Sequence, residues 1–201
     1  VQMTAEEKKA ALTEAMDRWI KGMMEATATK VSVWDAVNES VSGKDTNGDG
    51  RYELESGEWG SANNFYWQDY LGDENYVRLV IQKARTYYAE YGGTEPLRLF
   101  INDYNLESDW DDNAKLKSLI HWIEIWEADD TTKIDGIATQ MHVSCYADQT
   151  IQENKKAHVE KMLKLMAETR KLVKISELDM GYIDESGNPV ATDKMTPEQH
   201  Q

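Results

Sequence analysis

Four short β-rich segments alternate with amphipathic helical segments, polar residues gather at the C-terminal end of each strand, and no glycine-rich phosphate turn follows any of them. These observations predict an α/β fold of the (β/α)8 TIM-barrel type, with only about four βα units present, a partial barrel. Strict alternation with crossovers of this length makes the strands parallel and covers them with helices. A doubly wound nucleotide binder would carry G-x-G-x-x-G or a P-loop after a strand, and neither occurs. Instead Asn38 and Glu39, Asn102 to Asn105, Gln140 and His142, and Glu177 stand at strand ends. That is where barrel enzymes gather catalytic groups from several strands.

The first helix opens on Thr4-Ala5-Glu6-Glu7, a capping box, and Leu12, Met16, Trp19, Ile20, Met23 and Met24 continue it at helical spacing to about Ala26. Val31 to Val37 is a short β-rich run bounded by polar residues, a buried strand that delivers Asn38 and Glu39. A loop rich in Gly, Ser, Asn and Asp reaches about Leu71. The second helix begins at Gly72-Asp73, carries Tyr76, Leu79, Val80, Ala84 and Tyr87, and ends at Gly92-Gly93; the strand Leu97 to Ile101 follows. The pattern repeats with a helix from about Asp111 to Ala128, a strand from Ile134 to Gln140, a helix from about Thr150 to Arg170 and a strand from Leu172 to Glu177.

Regular parity places Asp35, Val37 and Glu39 on one face, and likewise Ala138, Gln140 and His142, and Val173, Ile175 and Glu177. A full barrel needs eight strands and about 250 residues. Thr196-Pro197-Glu198-Gln199 is a helix start close to the last residue. Residues 1–201 are therefore expected to be one segment of a larger catalytic barrel, truncated at both ends.

Lys and Arg total 22 against 37 Asp and Glu, a net charge of −15, which excludes partners bound through phosphate neutralisation: no nucleic acid and no anionic membrane. No apolar run reaches the roughly 18 residues of a membrane span, and the charged start is not a signal peptide. The single cysteine, Cys145, forms no internal disulfide and reads as a small buried hydrophobe. Seven Trp and ten Tyr against two Phe favour surfaces that stack on sugars as well as cores. Asp45-Thr46-Asn47-Gly48-Asp49-Gly50 matches the first half of a calcium loop, but Ser56 stands where the bidentate carboxylate belongs. A turn is preferred there, and no metal is expected. Lys155, Lys156, Lys161, Lys164 and Lys171 read as a solvated helix face.

Glu39 and Glu177 are the two carboxylates predicted to share one rim. Retaining cleavage of a glycosidic bond needs two carboxyl groups about 5–5.5 Å apart, one protonated and one ionised. A lone glutamate at a strand end ordinarily does no more than face water. Its neighbours change that reading.

Residues 34–39, WDAVNE, 102–107, NDYNLE, 134–142, IDGIATQMH, and 175–179, ISELD, occur in this order, together with WGSANNFYWQDYLGDENYVRLVIQKAR between the first two. In these motifs, their order and their spacing the chain resembles glycoside hydrolase family 10, the retaining endo-β-1,4-xylanases. The resemblance implies Glu39 as general acid/base and Glu177 as nucleophile. It implies Asn38 as the contact to the sugar 2-hydroxyl, His142 as the hydrogen-bond partner of Glu177, and Gln140 as lining of the same subsite. Tyr104 and Asn105 would lie on the acceptor side. It implies no cofactor, and xylan or xylo-oligosaccharide as substrate. The rest of the barrel, or a carbohydrate-binding module inserted in it, is the implied partner. An extracellular, periplasmic or cell-surface location follows from that substrate. The family's donor-side contacts and tryptophan roof have no counterpart in these residues. Two other readings stand beside the xylanase: a non-catalytic polysaccharide-binding segment, and a retaining β-1,4-glucanase.

Overall fold

A computed structural model describes residues 3–59 and 64–200; residues 60–63 of the predicted loop, and of the WGSANN segment, lie outside the described residues. Helix α1 (Ala5–Thr27) is followed by β1 (Val33–Asn38), α2 (Gln68–Leu71), α3 (Asn75–Glu90), β2 (Arg98–Tyr104), α4 (Ala114–Glu127), β3 (Gly136–Tyr146), α5 (Gln149–Glu168) and β4 (Leu172–Ile183). The strands form one sheet in the order β1-β2-β3-β4, and every neighbouring pair is parallel. This is a partial (β/α)8 barrel, as the alternation predicts.

The capping box forms as read: the Thr4 hydroxyl accepts from Glu7 N, and the Glu7 carboxylate accepts from Thr4 N at 2.8 Å. One stripe of α1, Met16, Ile20 and Met24, packs into a core with Val77, Ile81 and Ala84 of α3 and Leu116, Leu119, Ile123 and Trp126 of α4. Leu99 and Ile101 of β2, Ile137 of β3, and Met162 and Met166 of α5 complete it. Each of these large side chains stabilises the fold by about 1.5–3 kcal/mol relative to exposure.

The opposite, inner face of the sheet is polar and carries a different set. Lys174 Nζ lies 2.7 Å from Asp35 Oδ2 and 5.4 Å from the centre of the Phe100 ring, joining the two outer strands across β2 and β3. Phe100 lies across Gly136: a Cβ there would fall 2.2 Å from the ring and 2.6 Å from the Leu172 carbonyl, so the position admits only glycine.

Regular parity fails in two strands. The β1–β2 register skips Ala36, and the β3–β4 register skips Ser176, so each outer strand carries a one-residue bulge before its motif glutamate. Val37, 7% exposed, consequently turns into the core while Asp35 meets Lys174; the two do not share a face. Val173 and Ile175 pair with Ile137 and Thr139 on the outer face, whereas Glu177 pairs with Gln140 on the inner one. Only the β3 set, Ala138, Gln140 and His142, keeps simple alternation.

Two strands also run further than predicted. β3 and β4 continue past Gln140 and Glu177 as a two-stranded extension, paired from Met141↔Leu178 to Tyr146↔Ile183. Among the described residues β1 has one edge with no strand beside it, and the outer edge of β4 is paired only at its end, where Ile183 bridges Pro189 and Val190 N donates to the Tyr182 carbonyl; Val173, Ile175, Leu178 and Met180 of β4 are exposed apolar groups.

In the long loop, an isolated antiparallel bridge joins Val41 to Leu54. The Asp45 carboxylate accepts from the backbone N–H of Gly48, Asp49 and Gly50, and Asn47 Oδ1 accepts from Asp49 N. These oxygens serve the turn, and the described residues contain no group of three His, Cys, Asp or Glu placed to hold a metal. No described helix is long and apolar enough to cross a membrane. Near the C-terminus Thr196 and Gln199 form a reciprocal cap, Thr196 N donating to Gln199 Oε1 at 2.8 Å and Gln199 N to Thr196 Oγ1 at 3.4 Å.

Candidate active site

The site is assembled from the upper ends of all four strands. Glu39 follows β1 in the left-handed region, φ 53°, and its N–H donates to the Asn102 carbonyl at 2.8 Å. A non-glycine residue there stores strain of order 1–3 kcal/mol, which the surrounding bonds must hold. Two residues on, Val41 N donates to Asp103 Oδ2 at 3.1 Å, closing the turn from the β2 side.

A continuous hydrogen-bonded row crosses the sheet from there. The Ser176 hydroxyl donates to Asn102 Oδ1 at 2.6 Å, which turns the Asn102 amide so that Nδ2 donates to Asn38 Oδ1 at 2.7 Å. Gln140 Nε2 donates to the same Asn38 oxygen at 3.2 Å and to Glu39 Oε1 at 2.9 Å. Because Asn38 Oδ1 is occupied twice, its Nδ2 donors are left for another acceptor. Gln140 Oε1 lies 3.3 Å from His142 Nε2, and that nitrogen lies 3.0 Å from Glu177 Oε2. Glu39 and Glu177 are thus linked through two side chains of β3.

His142 decides the electrostatics. Its Nδ1 faces Asp179 Oδ2 at 2.5 Å while Nε2 faces Glu177, so both nitrogens meet acceptor oxygens and both carry protons. The hydrogen bond to Asp179, and after it the negative charges of Asp179 and Glu177, hold the imidazole pKa above its ordinary value. This arrangement favours the imidazolium form of His142, set between the Glu177 and Asp179 carboxylates.

Beneath the row lies a buried ion pair. Lys115 Nζ of α4 is 2.7 Å from Asp103 Oδ1, with the two side chains 5% and 0% exposed. The same ammonium sits 3.4 Å from the centre of the Tyr104 ring, and Asp103 also accepts from Tyr104 N at 2.9 Å. One cation therefore fixes both the ring of Tyr104 and the carboxylate that closes the Glu39 turn. Burial pushes the Asp103 carboxyl up and outweighs the pull of Lys115; burial likewise raises the Tyr104 hydroxyl.

Of the residues singled out by sequence, Asn38, Glu39, Gln140, His142 and Glu177 are brought into one network, and Tyr104 stands beside it on the Lys115–Asp103 pair. Asn105, at φ 59°, belongs to no side-chain hydrogen bond of the row and lines a neighbouring cleft instead. Sequence reasoning passed over the roles of Asn102, Ser176, Asp179 and Lys115. Asp179 was findable, since it lies two residues after Glu177 in the same motif and so shares its face.

The sequence matches the Glycosyl hydrolase family 10 profile over residues 1–200. The chain belongs to glycosyl hydrolase family 10. It is 30% identical over 178 residues to an endo-1,4-beta-xylanase A of Halalkalibacterium halodurans, covering 87% of this chain and 36% of that protein. It is 29% identical over 147 residues to the exoglucanase XynX of Acetivibrio thermocellus, covering 73% of this chain and 10% of that protein. The crystal structure of an endo-1,4-beta-xylanase from Caldicellulosiruptor owensensis superposes with a TM-score of 0.60 at 26% identity, covering 86% of this chain and 44% of that one. This family 10 chain thus spans less than half the length of these relatives, in keeping with four strands of an eight-stranded barrel.

Proposed function

We propose that this family 10 chain is the central-to-C-terminal segment of the catalytic barrel of a retaining endo-β-1,4-xylanase, with Glu39 as acid/base and Glu177 as nucleophile. The observation that carries the reading is the link Glu39–Gln140–His142–Glu177, which ties two carboxylates on opposite strands of the sheet into one hydrogen-bonded unit.

In the first step the Glu177 carboxylate attacks the anomeric carbon as the glycosidic C–O bond breaks, and Glu39 gives its proton to the departing oxygen. In the second, the Glu39 carboxylate takes a proton from water, the water oxygen attacks the same carbon, and the ester bond to Glu177 breaks. The His142 ring, bonded to Glu177 through Nε2, aims its carboxylate, and Asp179 holds the imidazole in place. Asn38, with its carbonyl occupied, offers Nδ2 to the sugar 2-hydroxyl, a contact that strengthens as the oxocarbenium-like transition state develops. Tyr104, its ring held by Lys115, packs against the acceptor sugar, with Asn105 beyond it. No cofactor takes part in this scheme.

The open edge of β1, the outer edge of β4 ahead of its Ile183–Pro189 bridge, and the apolar outer face of β4 are where the remaining strands and helices of the barrel pair and pack. The likeness to an exoglucanase keeps β-1,4-glucan as a second substrate reading, separated from the first by comparing rates on xylo- and cello-oligosaccharides. The assignment is tested by two variants of the completed barrel. Glu177→Ala is expected to abolish cleavage of every substrate, whereas Glu39→Ala is expected to spare first-step cleavage of aryl glycosides with good leaving groups. Equal loss on activated and natural substrates for Glu39→Ala would remove it from the acid role.

A further inference from the structure

Ser176 is the residue that the β3–β4 register skips, and its hydroxyl reaches into the site. A single hydroxyl proton faces two acceptors, Asn102 Oδ1 at 2.6 Å and the Thr139 carbonyl at 3.0 Å, and the shorter contact takes it. The bulge makes this reach possible, because it gives β4 two consecutive residues, Ser176 and Glu177, aimed at the site where simple alternation allows one. Ser176 crosses β3 to meet β2. The β3 residue paired with Asn102 is Ala138, whose methyl group leaves the crossing open.

Asn102 is 2% exposed, so its amide orientation is set by the partners the protein provides. With Oδ1 on the Ser176 hydroxyl, its Nδ2 lies 2.7 Å from Asn38 Oδ1. The reversed amide would set Asn102 Oδ1 against Asn38 Oδ1, acceptor against acceptor. Turning Asn38 to relieve that would bring its Nδ2 against Gln140 Nε2, donor against donor. The row therefore keeps or loses its sense as a whole. Asn38 itself is exposed, and the two donors on its Oδ1 hold it in place. We propose that Ser176 is a positioning residue for the reaction: by donating to Asn102 it keeps the Asn38 amide donors turned toward the 2-hydroxyl of the sugar being cleaved, so that this hydroxyl is held as an acceptor. The sugar end of this inference rests on the proposed xylanase function; the row of side chains does not. Without the Ser176 hydroxyl, Asn102 Oδ1 is a buried acceptor with no donor, and the amide loses its reason to keep Nδ2 on Asn38.

Three variants test it: Ser176→Ala removes the hydroxyl, Ser176→Cys keeps the shape with a weak donor, and Ser176→Thr keeps the hydroxyl. In this chain the side-chain amide resonances of Asn102 and Asn38 report the row directly. Ser176→Ala and Ser176→Cys are each expected to move both amides, although Asn38 shares no hydrogen bond with Ser176, and Ser176→Thr is expected to leave both near their original positions. A change confined to Asn102, or none in either of the first two variants, overturns the proposal. In the completed barrel, kcat/KM is measured on an aryl β-xylobioside and on its analogue lacking the 2-hydroxyl of the cleaved sugar. Ser176→Ala is expected to lose about tenfold on the first substrate and less than about twofold on the second, with Ser176→Thr restoring the difference. Equal losses on the two substrates, which a merely structural defect would produce, overturn the positioning role. Failure of Glu177 to react with a mechanism-based label would instead strike the proposed function and leave the row to be decided by the amide resonances.

Discussion

Replacing Lys115 by Met removes the cation paired with Asp103. Asp103 is fully buried, accepts backbone N–H groups from Val41 and Tyr104, and has Lys115 Nζ at 2.7 Å. Breaking a buried pair by deleting one partner costs about 3–5 kcal/mol, since the remaining charge is stranded. Burial already holds the Asp103 carboxyl above its ordinary value with Lys115 present, and without it the shift grows. The sign follows from linkage. Above the unfolded-state pKa near 3.9 the unfolded chain loses the proton that the folded chain retains, so the variant loses stability as pH rises through that window. Lys115→Met is therefore expected to unfold about 3–5 kcal/mol more easily than the original at pH 7, with the deficit shrinking toward pH 5. Adding Asp103→Asn is expected to recover most of the loss, because both charges are then gone. Urea unfolding followed by tryptophan fluorescence at the two pH values measures all three proteins. A deficit below about 1 kcal/mol at pH 7, or a double variant no more stable than the single one, would refute the pair as the clamp beneath Glu39 and Tyr104.

Other perturbations are equally direct. Gly136→Ala places a methyl group 2.2 Å from the Phe100 ring and 2.6 Å from a backbone carbonyl, and is expected to lower stability by about 1–3 kcal/mol in the same unfolding assay. The His142 imidazole is expected to titrate above the ordinary histidine value near 6.5 in heteronuclear NMR, and Asp179→Asn, removing its main stabilising partner, is expected to bring the midpoint down. Since the raised value favours the charged form in the folded state, the stability His142 contributes is present below the unfolded pKa and fades as pH rises through the folded one; an unchanged midpoint in Asp179→Asn would contradict the imidazolium assignment.

The order of elements was legible because each rests on local signals: the capping box at Thr4, the glycine stop at Gly92-Gly93, and the run of apolar residues in each strand. The rim was legible for a related reason, as polar residues stand out at the end of apolar, β-rich runs, although the outer strands β1 and β4 are largely exposed rather than buried as read. What escaped reading belongs to pairing rather than to local sequence. Ala36 and Ser176 carry no mark of a bulge, because a bulge exists only relative to the neighbouring strand, yet those two residues decide which way Glu39 and Glu177 face. Beyond Gln140 and Glu177 the alternation continues, in Met141-His142-Val143-Ser144-Cys145 and Leu178-Asp179-Met180-Gly181-Tyr182, but it buries no face, so the end of each strand is set by the pairing of the two with each other. Short α2 offers one turn and no stripe. Lys115 sits on an amphipathic helix where a lysine ordinarily faces water, and only Asp103 and Tyr104 arriving from β2 give it a buried partner. Asn105 was placed by its motif on the acceptor side, and its separation from the row follows from the left-handed turn at φ 59° that directs it to the neighbouring cleft.

The most direct test of the central claim is covalent capture. Incubation with a 2-fluoro-xylobioside bearing a good leaving group slows the second step and traps the glycosyl ester, which peptide mass spectrometry locates. The account predicts an adduct on Glu177, in this chain or once the remaining strands of the barrel are supplied. An adduct on another residue, or none in either case, would contradict it.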